Sequence, residues 1–266
     1  MKLFLKILLI VLWIGLAAGS VVLMGFANNN HEVKSCTGID VLMNYSGSEA
    51  LLSPADLKHQ LTDAFGKMEK KTLKQINIES ILAFLQKNPY LDYADAHITI
   101  EGRLVVEVRQ CKPLVRLISP EGINFYLDTK GKLLPVNPEY PVRVIIANGN
   151  IEIPLKPGKF IFPKGKKKQQ PSESIQILQN IHSIAQQLRA DSVLNALVEQ
   201  VYVKPDGEMQ LATKAGSHVI EFGDTSNSAE KLDNLKTFYK YGLSKTGWNT
   251  YSVINLKFKN QVVCTK

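Results

Sequence analysis

Cysteine is scarce and poorly spaced for chemistry: Cys36, Cys111 and Cys264 are the only three in 266 residues, and no Cys-x-x-Cys pair occurs. That spacing excludes a dithiol redox motif and a cysteine-based zinc site. An odd number cannot all pair within one chain, so at least one thiol is free or bonds another chain. The plainer account treats all three as small apolar residues in strands, with a Cys36–Cys111 bridge as the alternative. Histidine is no better placed. His31, His59, His97, His182 and His218 never fall at i, i+4 or beside a cysteine, so zinc-ligand spacing is missing. No Gly-x-Ser-x-Gly occurs, so no nucleophile elbow is signalled. Gly158 and Gly165-Lys166 imitate a phosphate loop, but two residues too many separate the glycines. Lys167 also stands where Mg²⁺ needs a hydroxyl. No internal repeat of fixed period is present. Together these absences point away from an enzyme and predict no cofactor and no metal.

Charge is present in modest excess. The net value is +8, and Lys2 and Lys6 contribute two of these charges ahead of the first apolar run. Such an excess suits acidic partners or anionic lipid, though a solvated surface of one sign explains it equally. A cluster at Lys164-Gly165-Lys166-Lys167-Lys168 lies in a loop from Lys156 to Pro171. No aromatic residues interleave its lysines as stacking platforms, so nucleic acid is not an expected partner. Asn44-Tyr45-Ser46 matches a glycosylation tripeptide, a weak signal at three residues.

One long uncharged run exists. From Ile7 to Ala27 the chain passes 21 residues without a charge. At about 1.5 Å rise per residue, a helix of that length spans roughly 30 Å, the thickness of a hydrocarbon core. Lys2 and Lys6 flank one side, which predicts a cytoplasmic N-terminus and an outward-facing remainder. The rival is a cleaved signal peptide with Gly25-Phe26-Ala27 as its cleavage site, but the run exceeds the usual h-region of about 7–15 residues. The expected division is a cytoplasmic tail at 1–6, a transmembrane helix at 7–27, a first module at 33–116 and a strand-rich domain at 117–266.

The first module reads β-α-α-β-β. Ile39 to Met43 form an apolar strand. Ser53-Pro54 supply an N-cap and a proline at the first helical position. Leu57, Leu61 and Phe65 then follow at four-residue spacing, and Gly66 ends the helix. Ile78, Ile81, Leu82 and Leu85 stripe a second helix, which Asn88-Pro89 stops. Strands Ala96–Ile100 and Arg103–Arg109 pair around Glu101-Gly102. Beyond residue 112 the predicted strands are Asn124–Leu127 and Lys132–Val136, flanking a turn at Asp128-Thr129-Lys130-Gly131, then Arg143–Ala147, Val198–Val203, Met209–Thr213 and His218–Phe222. Two helices flank them, one capped by Ser172 with Leu178, Ile181, Ala185 and Leu188 on one face, and one capped by Ser228 with Gly242 as its C-cap. Strands Tyr251–Phe258 and Gln261–Cys264 finish the chain. The fold class is α+β. A terminal hairpin made this late can end a sheet and expose unpaired backbone groups, which is where a partner strand would add.

These phrases occur in an order that resembles the bacterial division family FtsQ/DivIB, in which the β-α-α-β-β module is called POTRA. The resemblance rests on Asn88-Pro89-Tyr90-Leu91, the hairpin, and the exit Lys112-Pro113-Leu114-Val115-Arg116. It extends through Tyr126 to Pro135, similar to the family's Leu-Val-Asp-x-x-Gly, and through Phe222-Gly223 and Ile254 to Phe258. Two departures stand out. Asn255-Leu256-Lys257-Phe258 replaces the family's Asp-Leu-Arg-Tyr, and Lys259-Asn260 replaces the glycine of the terminal turn; asparagine still tolerates φ > 0. The resemblance implies a non-enzymatic divisome scaffold that binds FtsB-like and FtsL-like single-pass proteins at the septum. It carries over Lys257, Phe258, Gln261, Val262, Val263 and Cys264 as the contact set for strand addition. The strand bearing Ala96, Ile98 and Ile100 is a second, lesser edge. Proline at Val262 is expected to abolish partner capture. The rival is a POTRA-bearing export or outer-membrane assembly component.

Overall fold

The computed structural model describes residues 12–20, 34–45, 50–162 and 170–266. Helix α1 is described over residues 12–20, and its apolar side chains Leu12, Trp13, Ile14 and Leu16 are exposed. The predicted tail at 1–6, the remainder of the 7–27 run, His31, Ser46 and the Lys164–Lys168 cluster lie outside the described residues. Among the described residues no helix is long and apolar enough to cross a membrane.

The chain divides into two compact units. The first takes the described part of Met1–Asn44 with Ser53–Gln86 and Tyr93–Val108; the second takes Tyr45–Leu52, Lys87–Asp92 and Arg109–Lys266. In the first, β1 (Gly38–Asn44) is followed by α2 (Pro54–Phe65), α3 (Ile78–Lys87), β2 (Leu91–Ile98) and β3 (Arg103–Gln110). The sheet order is β1-β3-β2. Ser53 caps α2 as predicted, its hydroxyl accepting from Asp56 N at 3.1 Å while the Asp56 carboxylate accepts from Ser53 N at 3.0 Å. Two orphan helix donors are thereby satisfied reciprocally. The stripes Leu57/Leu61 and Ile81/Leu85 are buried, as are Leu104, Val106 and Val108 on one face of β3. The predicted strand Ala96–Ile100 is displaced: β2 ends at Ile98, and Ile100 sits in the turn at 82% exposure. Gly102, at φ +80°, donates to Thr99 O and closes that turn. The strand therefore starts five residues earlier, at Leu91, and ends two residues earlier than its apolar pattern suggests.

The second unit is built on a nine-stranded sheet. Its strands are β4 (Pro113–Ile118), β5 (Asn124–Asp128), β6 (Leu133–Pro135), β7 (Ile145–Gly149), β8 (Val198–Val203), β9 (Met209–Thr213), β10 (Val219–Gly223), β11 (Val253–Asn255) and β12 (Val263–Thr265). They lie in the order β12-β11-β10-β9-β8-β7-β4-β5-β6. Three pairs are parallel: β4/β7, β7/β8 and β10/β11. Parallel neighbours need a long crossover. Helix α4 (Glu173–Ala190) with the short α5 (Ser192–Leu197) supplies it between β7 and β8, and α6 (Ser228–Phe238) supplies it between β10 and β11. The apolar faces of these helices, including Leu178, Ile181, Leu188, Leu232 and Leu235, share one core with Leu117, Ala147, Val201, Leu211, Ile220 and Ile254. A second, smaller core gathers Leu51, Cys111, Tyr126 and Leu134. Gln110 stitches into it, its side chain accepting from Leu51 N at 2.8 Å and donating to Leu52 O.

The structure differs from the sequence pattern at several points. β4 is a sheet strand rather than a connecting phrase; its Leu114, Val115 and Leu117 are buried in the sheet interior, and such continuous apolar runs mark strands covered on both faces. The N-cap of α6 is Asn227 in the left-handed region (φ 50°), and no side chain caps the helix. Ser228 instead accepts a bond from Gln187 Nε2 at 2.8 Å, tying α6 to α4. Gly242 is no C-cap. The helix runs on through a π turn (Tyr239–Leu243) and α7 (Ser244–Thr246), and Gly247 at φ +98° ends it. A Cβ at Gly242 would meet the Phe238 ring at 2.6 Å, so close packing is the reason for that glycine. The terminal strands are shorter than predicted, three residues each.

The turn at Asp128-Thr129-Lys130-Gly131 forms as expected, and Asp128 is its centre. Oδ1 of this buried carboxyl accepts from Lys130 N at 2.9 Å and Lys132 N at 2.7 Å. Burial outweighs those bonds and the Lys132 charge, so its pKa is raised above the ordinary carboxylate value of 3.8. A carboxyl whose folded pKa exceeds its unfolded one binds its proton more tightly when folded. Its stabilising contribution is full below the unfolded value and is lost as pH rises through the folded one. Asp128→Asn retains an acceptor oxygen for both amides without the buried charge. It is expected to be as stable as wild type, or more so, at neutral pH. Asp128→Ala orphans two backbone donors and should cost about 1–3 kcal/mol. Thermal unfolding of both variants at pH 5 and pH 7 checks the pair, and equal losses for the two would refute the charge argument.

Candidate partner-binding edge

The end of the sheet at β12 is assembled from the inside outward. Ile254 is buried at the centre of β11, between Ile220 of β10 and Cys264 of β12 in register. Ser252 accepts from Val219 N, and Leu256 donates to Glu221 O, so residues 254 and 256 direct their backbone groups at β10. Val253 and Asn255 must then face β12, opposite Thr265 and Val263. Ser252, at the bend before β11, splits its groups: its carbonyl faces β10, while its N–H donates to Thr265 O at 2.8 Å. Residues exchanging bonds across an antiparallel pair point both backbone groups at each other, and the alternate residue points both away. Cys264 therefore turns its N–H and C=O to the open edge.

Side chains follow the opposite alternation. Val262 and Cys264 pack against the main core. Val263 is 39% exposed, and by the same alternation it stands on the sheet face opposite the helices. Burial pushes the Cys264 thiol pKa up, and Cys111 is pushed up to about 12 by the same cause. All three cysteines are free. The buried Cys111 and the half-buried Cys264 thus stay protonated at neutral pH and serve as packing groups.

The approach to β12 is a turn over Phe258 to Val262. Asn260 occupies the left-handed region at φ 57°, the conformation that the missing glycine would otherwise supply. Asn255 Oδ1 accepts from Lys257 N at 2.9 Å and starts the turn. Phe258 is 48% exposed, and Gln261 is exposed beside it. Lys257 reaches back to Glu208, its Nζ lying 2.8 and 2.9 Å from the two carboxylate oxygens. Glu208 also binds Lys204 Nζ at 2.8 Å, and Lys204 lies 3.6 Å from Glu221. Hydrogen bonds from Lys204 first and Lys257 second hold the Glu208 pKa below its usual value. Lys204 and Glu208 were not singled out from sequence. They flank the turn after β8, Glu208 standing 49 residues from Lys257 along the chain, and only the parallel β10/β11 crossover brings them together.

The structure therefore gathers Lys257, Phe258, Gln261, Val262, Val263 and Cys264 on one hairpin at one sheet edge. The lesser candidates divide. β2 is an edge strand of its three-stranded sheet, with Ala96 buried and Ile98 half-buried, whereas Ile100 lies off the strand. Among the described residues no group of histidine, cysteine, aspartate and glutamate could hold a metal ion. A free edge of this kind can accept an extended segment through main-chain bonds, with side-chain contacts supplying selectivity.

Comparison with known proteins bears on both units. Residues 112–265 match the family described as FtsQ/DivIB, C-terminal related, and residues 34–109 match the POTRA-like domain. No curated protein matches the chain.

Proposed function

The chain belongs to the FtsQ/DivIB family, whose members are non-enzymatic cell-division proteins, and from that premise we propose that it accepts a partner strand on β12. The partner in this reading is an FtsB-like protein, joined by an FtsL-like one, and the assembly is linked to septal peptidoglycan synthesis. Membership in the family carries the coarser statement, a divisome scaffold acting through protein–protein contacts. The finer reading rests on one observation, the outward-facing backbone of Cys264 at the end of the nine-stranded sheet. Phe258 and Val263 would flank the added strand, and Lys257 would exchange Glu208 for a carboxylate of the partner.

The proposal keeps residues 7–27 as a single membrane anchor and 1–6 as a cytoplasmic tail. It likewise takes 33–116 as the POTRA module and 117–266 as the C-terminal β domain, both outside the cytoplasm. The β2 edge, with Ala96 and Ile98, is a second surface of lower rank. A fluorescent fusion of the full chain should concentrate at the division septum. Even distribution around the envelope would remove the division reading and favour the rival role in export or outer-membrane assembly.

A further inference from the structure

A cavity of about 830 Å³ opens between α5 and the chain that follows α6, with Val193, Leu197, Lys236, Lys240, Tyr241 and Trp248 on its walls. Three of these apolar side chains face solvent: Val193 at 53%, Tyr241 at 57% and Trp248 at 44% exposure. Large exposed aromatics around a concavity are the composition of interface hot spots rather than of an ordinary surface. The floor is firm. Trp248 packs on Tyr239 with ring centroids 5.6 Å apart, and the Tyr239 hydroxyl bonds to Thr213 at 2.9 Å and to His218.

The charge on the walls is unbalanced. Asp191 is already engaged, bonding Lys236 at 2.9 Å and capping α5. Lys240 lies 4.9 Å over the Tyr241 ring and, among the described residues, has no carboxylate partner. An occupant that places an apolar group between Val193 and Trp248 would therefore meet a cation at the rim.

Register fixes where this cavity lies. Leu197 immediately precedes β8, and Trp248 lies four residues before Ser252, which bonds Thr265 at the end of β12. The pairings Val198↔Thr213, Ala212↔Val219, Val219↔Val253 and Val253↔Thr265 put the start of β8 and the end of β12 at one end of the sheet. Four residues of extended chain reach no more than about 14 Å. A polypeptide paired with β12 thus leaves the edge at Thr265 within reach of the cavity.

We propose that the stretch of the partner continuing past Thr265 inserts an apolar side chain into this cavity and sets a neighbouring carboxylate against Lys240. The inference rests on the reading of β12 as the strand-accepting edge. It adds a second contact on the same partner, of different chemistry.

The test uses the full chain in cells, with a photo-cross-linking residue at Val193 in one strain and at Gln261 in another. The expected result is that both positions capture the same polypeptide. The Val193 adduct should map to a segment holding apolar and acidic residues beside the one captured at Gln261. Lys240→Glu should lower the Val193 adduct at least fivefold and spare the Gln261 adduct, and Cys264→Pro should lose both. Capture at Gln261 with none at Val193 overturns the cavity proposal and leaves the edge reading standing. So does capture of a glycan or a different polypeptide at Val193, or a Val193 adduct indifferent to Lys240→Glu. Absence of capture at Gln261 overturns both readings.

Discussion

Cys264→Pro is expected to reduce partner capture below detection, a loss of more than about a hundredfold, while the chain stays folded. Proline lacks an N–H and fixes φ near −65°, so it is tolerated in sheets only where the N–H side faces away from a neighbour. Cys264 is such a position, because β11 takes its bonds from Val263 and Thr265. The substitution removes the donor offered at the centre of the three-residue edge and puts the ring where the incoming strand would lie. Val263→Pro is the contrasting variant. Its N–H faces β11, so it should detach β12 itself, lowering capture together with amide-exchange protection of the hairpin. Val262 has the same outward parity as Cys264, but β12 begins only at Val263, so proline at 262 should weaken capture rather than abolish it as the sequence alone suggests. Pull-down of the FtsB-like partner, read beside thermal unfolding, separates the three. Undiminished capture by the Cys264→Pro chain would sink strand addition at this edge.

The local grammar of the chain was largely legible without coordinates. The Ser53 N-cap, the stripe Leu178/Ile181/Ala185/Leu188, and the turn at Asp128 are set by contacts within a few residues, and each formed as predicted. What was hidden depends on partners far away in sequence. Nothing in Pro113–Ile118 says that it is an interior strand with parallel and antiparallel neighbours, because a short apolar run has no period to read. Ser228 carries the right side chain for a cap, yet Gln187 of another helix claims it. Gly242 carries the right residue for a helix end, yet the Phe238 ring requires it for room.

The candidate site divides along the same line. Its residues lie within ten positions of one another, and the family resemblance names them there: Lys257, Phe258, Gln261, Val262, Val263 and Cys264. Whether that end was an edge could not be read, since a sheet ends where strand order places the last strand, and this order crosses over twice in parallel within the C-terminal half. The Glu208 contact to Lys257 was equally hidden, being a product of the second crossover. The cavity beside Trp248 was out of reach for another reason. It arises because the helix after Phe238 does not stop at Gly242 but continues to Gly247, which carries Tyr241 and Trp248 to the rim.

The turn that presents β12 is the remaining point of control, and Asn260→Val should expose it. At φ 57° Asn260 occupies the left-handed region, which asparagine tolerates and a β-branched side chain strongly resists. The penalty for an ordinary L-residue there is roughly 1–2 kcal/mol. β12 is only three residues long and pairs with a single neighbour, so a local cost of that size is comparable to what holds it in place. The strand should therefore open locally, and partner capture should fall about tenfold, as expected when 1.4 kcal/mol is lost from the competent state. Asn260→Gly adopts the same backbone without strain and should retain full capture. The global unfolding midpoint should move little in either variant, because the buried core is centred on strands β4 to β11 and the helices. Amide exchange at Val263 to Thr265 is the discriminating measurement: fast exchange in the valine variant alone places the effect in the hairpin. Equal capture by the valine and glycine variants would mean that the partner folds the edge for itself, and the preformed strand would lose its role.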